Sequence, residues 1–184
     1  MKGGVRISGG TARGRPLAVP PGARPTEGRV REALFSIWSG RLEGARVLDL
    51  FAGSGVVALE ALGRGALSAC AVDQGLAAVK TIEANAARVG EPLTLRKLRL
   101  PEGLARLAAE GLGPFDLAFA DPPYEFPDYE GLLAASGPLL TPDGEIVIEH
   151  AVRRGLPLQV GGLVRVDERS YGDCALSFYR LAPA

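Results

Sequence analysis

The chain has 184 residues, 47% of them hydrophobic and 23% charged, with 21 Lys/Arg balanced by 21 Asp/Glu. That length and apolar content provide one well-buried core and exclude two ordinary domains. There is no 18-residue apolar run and no secretory leader, and two cysteines with one histidine supply no metal-ligand cluster. A cytoplasmic protein without membrane span, disulfide or metal is therefore expected. The net charge of zero conceals an asymmetry: residues 1–46 hold nine Lys/Arg and three Glu, for +6, and the remainder carries −6.

In chain order, Val5-Arg6-Ile7 and Arg15 to Val19 are expected as short strands of a hairpin across Gly9 to Gly14, a basic flap of residues 1–24 preceding a main domain of residues 25–184. Thr26 is placed to cap a helix whose apolar stripe runs Val30, Leu34, Ile37 and Trp38. A strand from Val47 to Leu50 leads through Gly53-Ser54-Gly55 into a helix from Ser54 to Arg64. Next come a strand Leu67 to Val72, a helix Leu76 to Val89, a strand Leu93 to Leu95 and a helix after Pro101-Glu102. A strand Phe115 to Ala120 runs into Asp121-Pro122-Pro123-Tyr124, followed by a helix near Tyr129 to Ser136 and a turn at Thr141 to Gly144. Strands Glu145 to Glu149, Leu163 to Asp167 and Ala175 to Arg180 complete the pattern. Alternating strands and helices argue for an α/β, doubly wound, mostly parallel seven-stranded sheet with a small N-terminal β-hairpin flap.

Val47 to Gly55 is a buried strand opening through a glycine turn, where backbone approaches a ligand closely. Gly53-Ser54-Gly55-Val56-Val57-Ala58 also fits the dinucleotide fingerprint G-x-G-x-x-G/A, with Asp73 at the distance of a ribose-binding acid. Asp49 decides between ligands. An anionic pyrophosphate is repelled by its carboxylate, whereas the ammonium and sulfonium of S-adenosylmethionine are attracted. Asp49, Asp73 and Asp121 all fall at strand carboxyl ends, where open α/β sheets bind ligands.

Asp121-Pro122-Pro123-Tyr124 carries the most specific chemistry. Its two prolines remove two backbone donors, leaving carbonyl acceptors beside a carboxylate and an aromatic face. Such a turn suits an exocyclic amino group on a planar base stacked on Tyr124. In the basic segment, Arg6, Arg13, Arg15, Arg24 and Arg31 are candidate phosphate contacts, and Thr26 and Arg29 are placed closer to the cleft.

The chain resembles the bacterial 16S rRNA guanine-N2 methyltransferases, class I (Rossmann-like) S-adenosylmethionine-dependent enzymes with an Asp-Pro-Pro-Tyr motif. The resemblance rests on Arg6-Ile7 with Gly14-Arg15-Pro16-Leu17, the block Arg24-Pro25-Thr26 with Arg29 to Phe35, Leu48 to Gly55 with Leu59 to Leu62, the Asp121 turn, and Tyr171-Gly172-Asp173. It implies methyl transfer to the N2 of one guanine in 16S rRNA, held within a small-subunit assembly particle; a monomer is expected. Asp121, Pro122, Pro123 and Tyr124 are then the catalytic turn, and Asp49, Phe51, Ala52, Gly53, Ser54, Gly55 and Asp73 hold the cofactor, with Thr26 and Arg29. One departure concerns the adenine: related enzymes carry an acid after the third strand, whereas this chain reads Leu95-Arg96-Lys97-Leu98-Arg99, so no adenine contact is assigned. Two rivals remain open. One is a DNA adenine-N6 or cytosine-N4 methyltransferase, for which 184 residues leave no separate recognition domain. The other is a non-catalytic RNA-binding assembly factor, against which the three intact acids speak.

Overall fold

A computed structural model describes residues 4–23 and 27–184. The chain divides into two compact units, residues 1–97 and 98–184.

The first unit opens with the hairpin β1 (Val5–Arg6) and β2 (Pro16–Leu17), paired antiparallel with Val5 opposite Leu17. Its inward residues Val5, Ile7, Ala12 and Leu17 are buried, so the arm packs as part of the unit. Helix α1 (Gly28–Trp38) follows with Glu27 in the cap position and no side-chain cap; Thr26 lies outside the described residues. Its buried face is Val30, Arg31, Leu34, Phe35 and Trp38, rotated from the expected stripe so that Arg31 and Phe35 enter the interior and Ile37 is half-buried. Phe35 and Trp38 meet edge to face at 6.0 Å, and the Arg64 guanidinium covers Phe35 at 4.7 Å.

Two successive strand–helix–strand crossovers then build a parallel sheet: β3 (Arg46–Leu50), α2 (Val56–Gly63), β4 (Ser68–Asp73), α3 (Leu76–Val89) and β5 (Thr94–Lys97), with strand order β5-β4-β3. β3 and β4 are buried over almost their whole length, as expected for parallel strands covered on both faces. Helix α2 starts at Val56, two residues later than expected, because Gly55 adopts a left-handed conformation (φ 76°) at the cap. Cys70 and, in the second unit, Cys174 are buried and not joined in a disulfide.

The second unit contains α4 (Leu104–Ala109), β6 (Phe115–Ala120), α5 (Tyr129–Ser136), β7 (Leu140–Ala151), β8 (Gln159–Val160), β9 (Leu163–Tyr171) and β10 (Cys174–Leu181), with strand order β6-β7-β10-β9-β8. β6 and β7 run parallel, and the remaining pairs are antiparallel. The expected turn at Thr141 to Gly144 is instead a bulge inside the continuous strand β7. Phe115 pairs with Leu140 but Leu117 with Glu145, so the intervening residues of β7 outrun those of β6 and swell outward. Gly172 (φ 64°) turns β9 into β10, where Tyr171 faces Cys174. Among the described residues, no helix is long and apolar enough to cross a membrane, and no group of three or more His, Cys, Asp or Glu is arranged to hold a metal ion.

Candidate active-site elements

Within the first unit, the segment from Phe51 to Gly55 bends sharply between β3 and α2. Phe51 is the only non-glycine among the described residues with positive φ (56°), and Gly53 and Gly55 share that region at 57° and 76°. A Cβ built on Gly53 would meet no atom within 4 Å, so the backbone there faces open space that a ligand can enter, whereas one on Gly55 would press to 3.1 Å from Ile82 Cγ2 of α3. Gly53 is thus open toward a ligand, and Gly55 is demanded by packing.

Two carboxylates hold this loop. Asp73, at the end of β4, accepts the Gly53 amide through Oδ2 at 3.0 Å and the Gly75 amide through Oδ1 at 2.9 Å, and it remains half-exposed. It ties the two loops at the carboxyl ends of β3 and β4 while still offering lone pairs to a ligand. Asp49 is only 2% exposed and accepts the Ala58 amide at 3.1 Å. That amide is one of the orphan donors in the first turn of α2, and Gly55 has no side chain to satisfy it, so Asp49 caps the helix from the neighbouring strand. Ala52 donates to the Val72 carbonyl at 3.1 Å, and the Ser54 side chain is enclosed. The loop suits S-adenosylmethionine in its donor set: open backbone at Gly53, a partly exposed acid at Asp73, and negative charge rather than a phosphate-attracting cation.

Within the second unit, Asp121 follows the carboxyl end of β6 and is half-buried, Pro122 is buried, and Pro123 is exposed. The Phe126 amide closes the turn on the Pro123 carbonyl at 2.9 Å. Tyr124 is 48% exposed, which leaves a ring face for stacking. Tyr129 is buried at the start of α5, with Phe126 edge-on at 5.4 Å and the Arg154 guanidinium over its ring at 5.1 Å. Burial pushes the Tyr129 phenol up; Arg154 opposes the shift, and the negative charge of Asp121 and Glu149 adds to it. Tyr129 therefore lies within the electrostatic reach of Asp121.

Of the candidate RNA contacts, Arg13 is exposed, and Arg24 lies outside the described residues. Arg6 is exposed and donates to the Gly14 carbonyl at 2.9 Å. Arg15 donates to the Arg88 and Val89 carbonyls at 3.0 and 3.4 Å, filling orphan acceptors at the end of α3. Arg31 is 4% exposed and bonds the Glu60 carboxylate and the Arg6 carbonyl, so the structure places it in the interior rather than on a phosphate-facing surface. Arg29 is exposed on the first turn of α1.

Residues 5–180 match the family model described as conserved hypothetical protein 95. The chain belongs to this family. Among its relatives, the Escherichia coli (strain K12) ribosomal RNA small subunit methyltransferase D is 35% identical over 188 residues, spanning 97% of this chain and 90% of that protein. A hypothetical protein of Thermus thermophilus, TTHA0928, is 37% identical, with a TM-score of 0.84 over 96% of this chain and 99% of that structure. The ribosomal protein L11 methylase of Lactobacillus delbrueckii subsp. bulgaricus has a TM-score of 0.63, with coverage of 89% and 83%. At 22% identity it shows the shared α/β fold alone.

In this family member, three buried residues that sequence reasoning left without a role are held by specific partners, two in the first unit and one in the second. Glu60 is fully buried on α2 and collects the Ser8 amide and hydroxyl at 3.0 and 2.5 Å, Arg31 Nε at 3.3 Å, and Arg64 Nε and Nη2 at 3.0 and 2.8 Å. Asn85, fully buried on α3, bonds both Ala18 of the arm and Ser54 of the loop. Tyr129 is the third. The signal for Glu60 and Asn85 was a lone polar residue on a helix face otherwise apolar, since such groups are retained only where they find partners.

Proposed function

We propose that the protein transfers a methyl group from S-adenosylmethionine to the N2 amino group of one guanine in 16S rRNA, presented within a small-subunit assembly particle, and that it works as a monomer. The reading is carried by the Asp121-Pro122-Pro123-Tyr124 turn, whose acid, donor-free backbone and half-exposed ring match a planar base bearing an amino group. Membership in a family that includes a ribosomal RNA small subunit methyltransferase supports rRNA as the substrate class. In this assignment the arm, residues 1–24, serves the RNA, and residues 25–184 serve the chemistry.

S-adenosylmethionine, when bound, would supply an electrophilic methyl carbon, whose bond to the sulfonium sulfur breaks as the bond to nitrogen forms, leaving the neutral thioether S-adenosylhomocysteine. Gly53 and its neighbours Phe51, Ala52, Ser54 and Gly55 give it a backbone cradle, Asp73 takes the ribose hydroxyls, and Asp49 supplies negative charge beneath the loop while fixing its shape. Thr26, outside the described residues, and Arg29, exposed on the first turn of α1, are assigned to the same cofactor on the family resemblance. Guanine N2 is a poor nucleophile because its lone pair is delocalised into the ring, so orientation matters more than base strength. Asp121 and the Pro122 carbonyl accept the amino N–H groups, aim the nitrogen and stabilise the positive charge that develops on it. As the N–C bond forms, the nitrogen becomes far more acidic, and its proton passes to Asp121 or water without a strong base. Tyr124 holds the base by stacking.

The test is incorporation of labelled methyl groups from S-adenosylmethionine into 16S rRNA, small-subunit particles and DNA, with mass mapping of the product. N2-methylguanine at one rRNA position is expected; label in DNA adenine or cytosine, or none in any nucleic acid, overturns the reading.

A further inference from the structure

Asn85 uses its amide on two different segments of the first unit. Its Nδ2 donates to the Ala18 carbonyl and to the Ser54 carbonyl, both at 2.9 Å, and its Oδ1 accepts the Ala18 amide at 2.9 Å. The Ala18 amide fixes the orientation of the group, because a flipped amide would set N–H against N–H. Ser54 stands between Gly53 and Gly55, both at positive φ, so anchoring its carbonyl fixes the peptide plane on which the turn depends. Ile82, one turn earlier on α3, packs against Gly55 from the same side. Helix α3 thus presents a floor for the loop, and one side chain on that floor also holds the strand leaving the basic arm.

We propose that Asn85 is a positioning residue through which the N-terminal arm sets the shape of the Phe51–Gly55 loop, so that docking of the arm and binding of the cofactor are coupled. This rests on the reading of that loop as the S-adenosylmethionine site. A ligand that favours the held loop favours the docked arm, and by linkage a docked arm favours the ligand equally. The arm bearing the candidate RNA contacts is then a part of the cofactor site.

The test is S-adenosylhomocysteine binding to the full-length chain by calorimetry, together with hydrogen exchange of the wild type with and without that ligand. Asn85→Ala is expected to weaken binding roughly 3- to 10-fold, the equivalent of about one net hydrogen bond. Ala18→Pro, which removes the donor facing Asn85 Oδ1 and sets a ring carbon against that oxygen at an exposed arm position, is expected to weaken it in the same direction. In the wild type, the ligand should slow exchange at Ala18, Ile7 and Gly14 as well as in the loop. This measurement stands even if Asn85→Ala fails to fold. Unchanged affinity in Ala18→Pro, or protection confined to residues 51–55 and 73–75, overturns the coupling while leaving the cofactor reading intact. No S-adenosylhomocysteine binding by the wild type overturns both.

Discussion

Replacing Glu60 by alanine is the sharpest perturbation of the first unit. The carboxylate is fully buried and bonds Ser8, Arg31 and Arg64, but these partners do not count equally. Arg64 is 26% exposed and can turn to water, so its pair contributes little. Arg31 is 4% exposed, and its Nη1 already lacks a hydrogen-bond partner among the described residues. Without Glu60, a guanidinium is left in the interior with, among the described residues, the Arg6 carbonyl as its remaining hydrogen-bond partner. Removing one member of a buried pair costs about 3–5 kcal/mol, because the other charge stays behind uncompensated. For a chain of this size that lowers Tm by roughly 6–20 °C. Thermal melts followed by circular dichroism read the shift, with Glu60→Leu/Arg31→Met as the companion, expected to recover most of the loss because no isolated charge remains. A Glu60→Ala melt within about 2 °C of the parent would refute the reasoning, as would a double variant no better than the single.

Other expectations follow from the two site elements and from the only histidine. Asp121→Ala should reduce turnover by roughly 10²-fold or more with little change in S-adenosylhomocysteine affinity, read by steady-state methylation and calorimetry. Tyr124→Ala should lose about 1–3 kcal/mol of substrate binding while Tyr124→Phe retains most activity, because the ring and not the hydroxyl is used. His150 is buried with Nε2 2.8 Å from the Ser177 hydroxyl, and burial holds its pKa below 6.5. Below about pH 6.5 the unfolded chain therefore takes up a proton that the folded chain resists, so stability should fall with pH from there down to the folded value, more steeply than in His150→Asn, as urea titrations would show. Arg13→Gln should lower the slope of log affinity for RNA against log salt by about 0.7–0.9, one phosphate contact, without changing Tm.

Elements with strong local signals were legible to the residue: α3, β6 and α5 have the bounds that periodicity and flanking residues imply. In α5 the reason is visible, since the Asp128 carboxylate caps the helix by accepting the Gly131 amide at 2.8 Å. The Asp73 and Gly53 pairing was also legible as a shared site, because the strand–glycine–helix grammar places both at strand ends. The misses have separate causes. Thr141-Pro142-Asp143-Gly144 has the chemistry of a turn, yet pairing with β6 absorbs it as a bulge. Ser54 and Gly55 read as helix, but the left-handed cap delays the helix to Val56. Arg31 was counted with the surface cations although its spacing from Leu34, Phe35 and Trp38 puts it on the buried face. Glu60 and Asn85 signal, as lone polar residues on apolar helix faces, that they need partners, but not which ones, because Ser8 and Ala18 lie on a hairpin far away along the chain.

These hidden partners change what the basic N-terminal segment is. A charge of +6 over residues 1–46 reads as a detachable phosphate-binding arm, whose removal through residue 18 would spare the cofactor site. The hairpin is instead fastened to all three helices of the unit: Arg31 of α1 to the Arg6 carbonyl, Ser8 to Glu60 and Thr11 to the Gly63 carbonyl on α2, and Ala18 to Asn85 and Arg15 to the final carbonyls on α3. Cutting it away leaves a buried carboxylate and a buried amide short of partners and uncovers the apolar surface over Val5, Ile7 and Leu17, each a destabilising change. Such a truncation tests folding rather than RNA affinity. The charge count overstates the phosphate-facing surface for the same reason, because Arg31 is neutralised inside by Glu60 and Arg15 already serves a helix end. Single-charge changes at exposed positions such as Arg13 therefore separate RNA recognition from the scaffold, and it is by them that the arm's role in binding is measured.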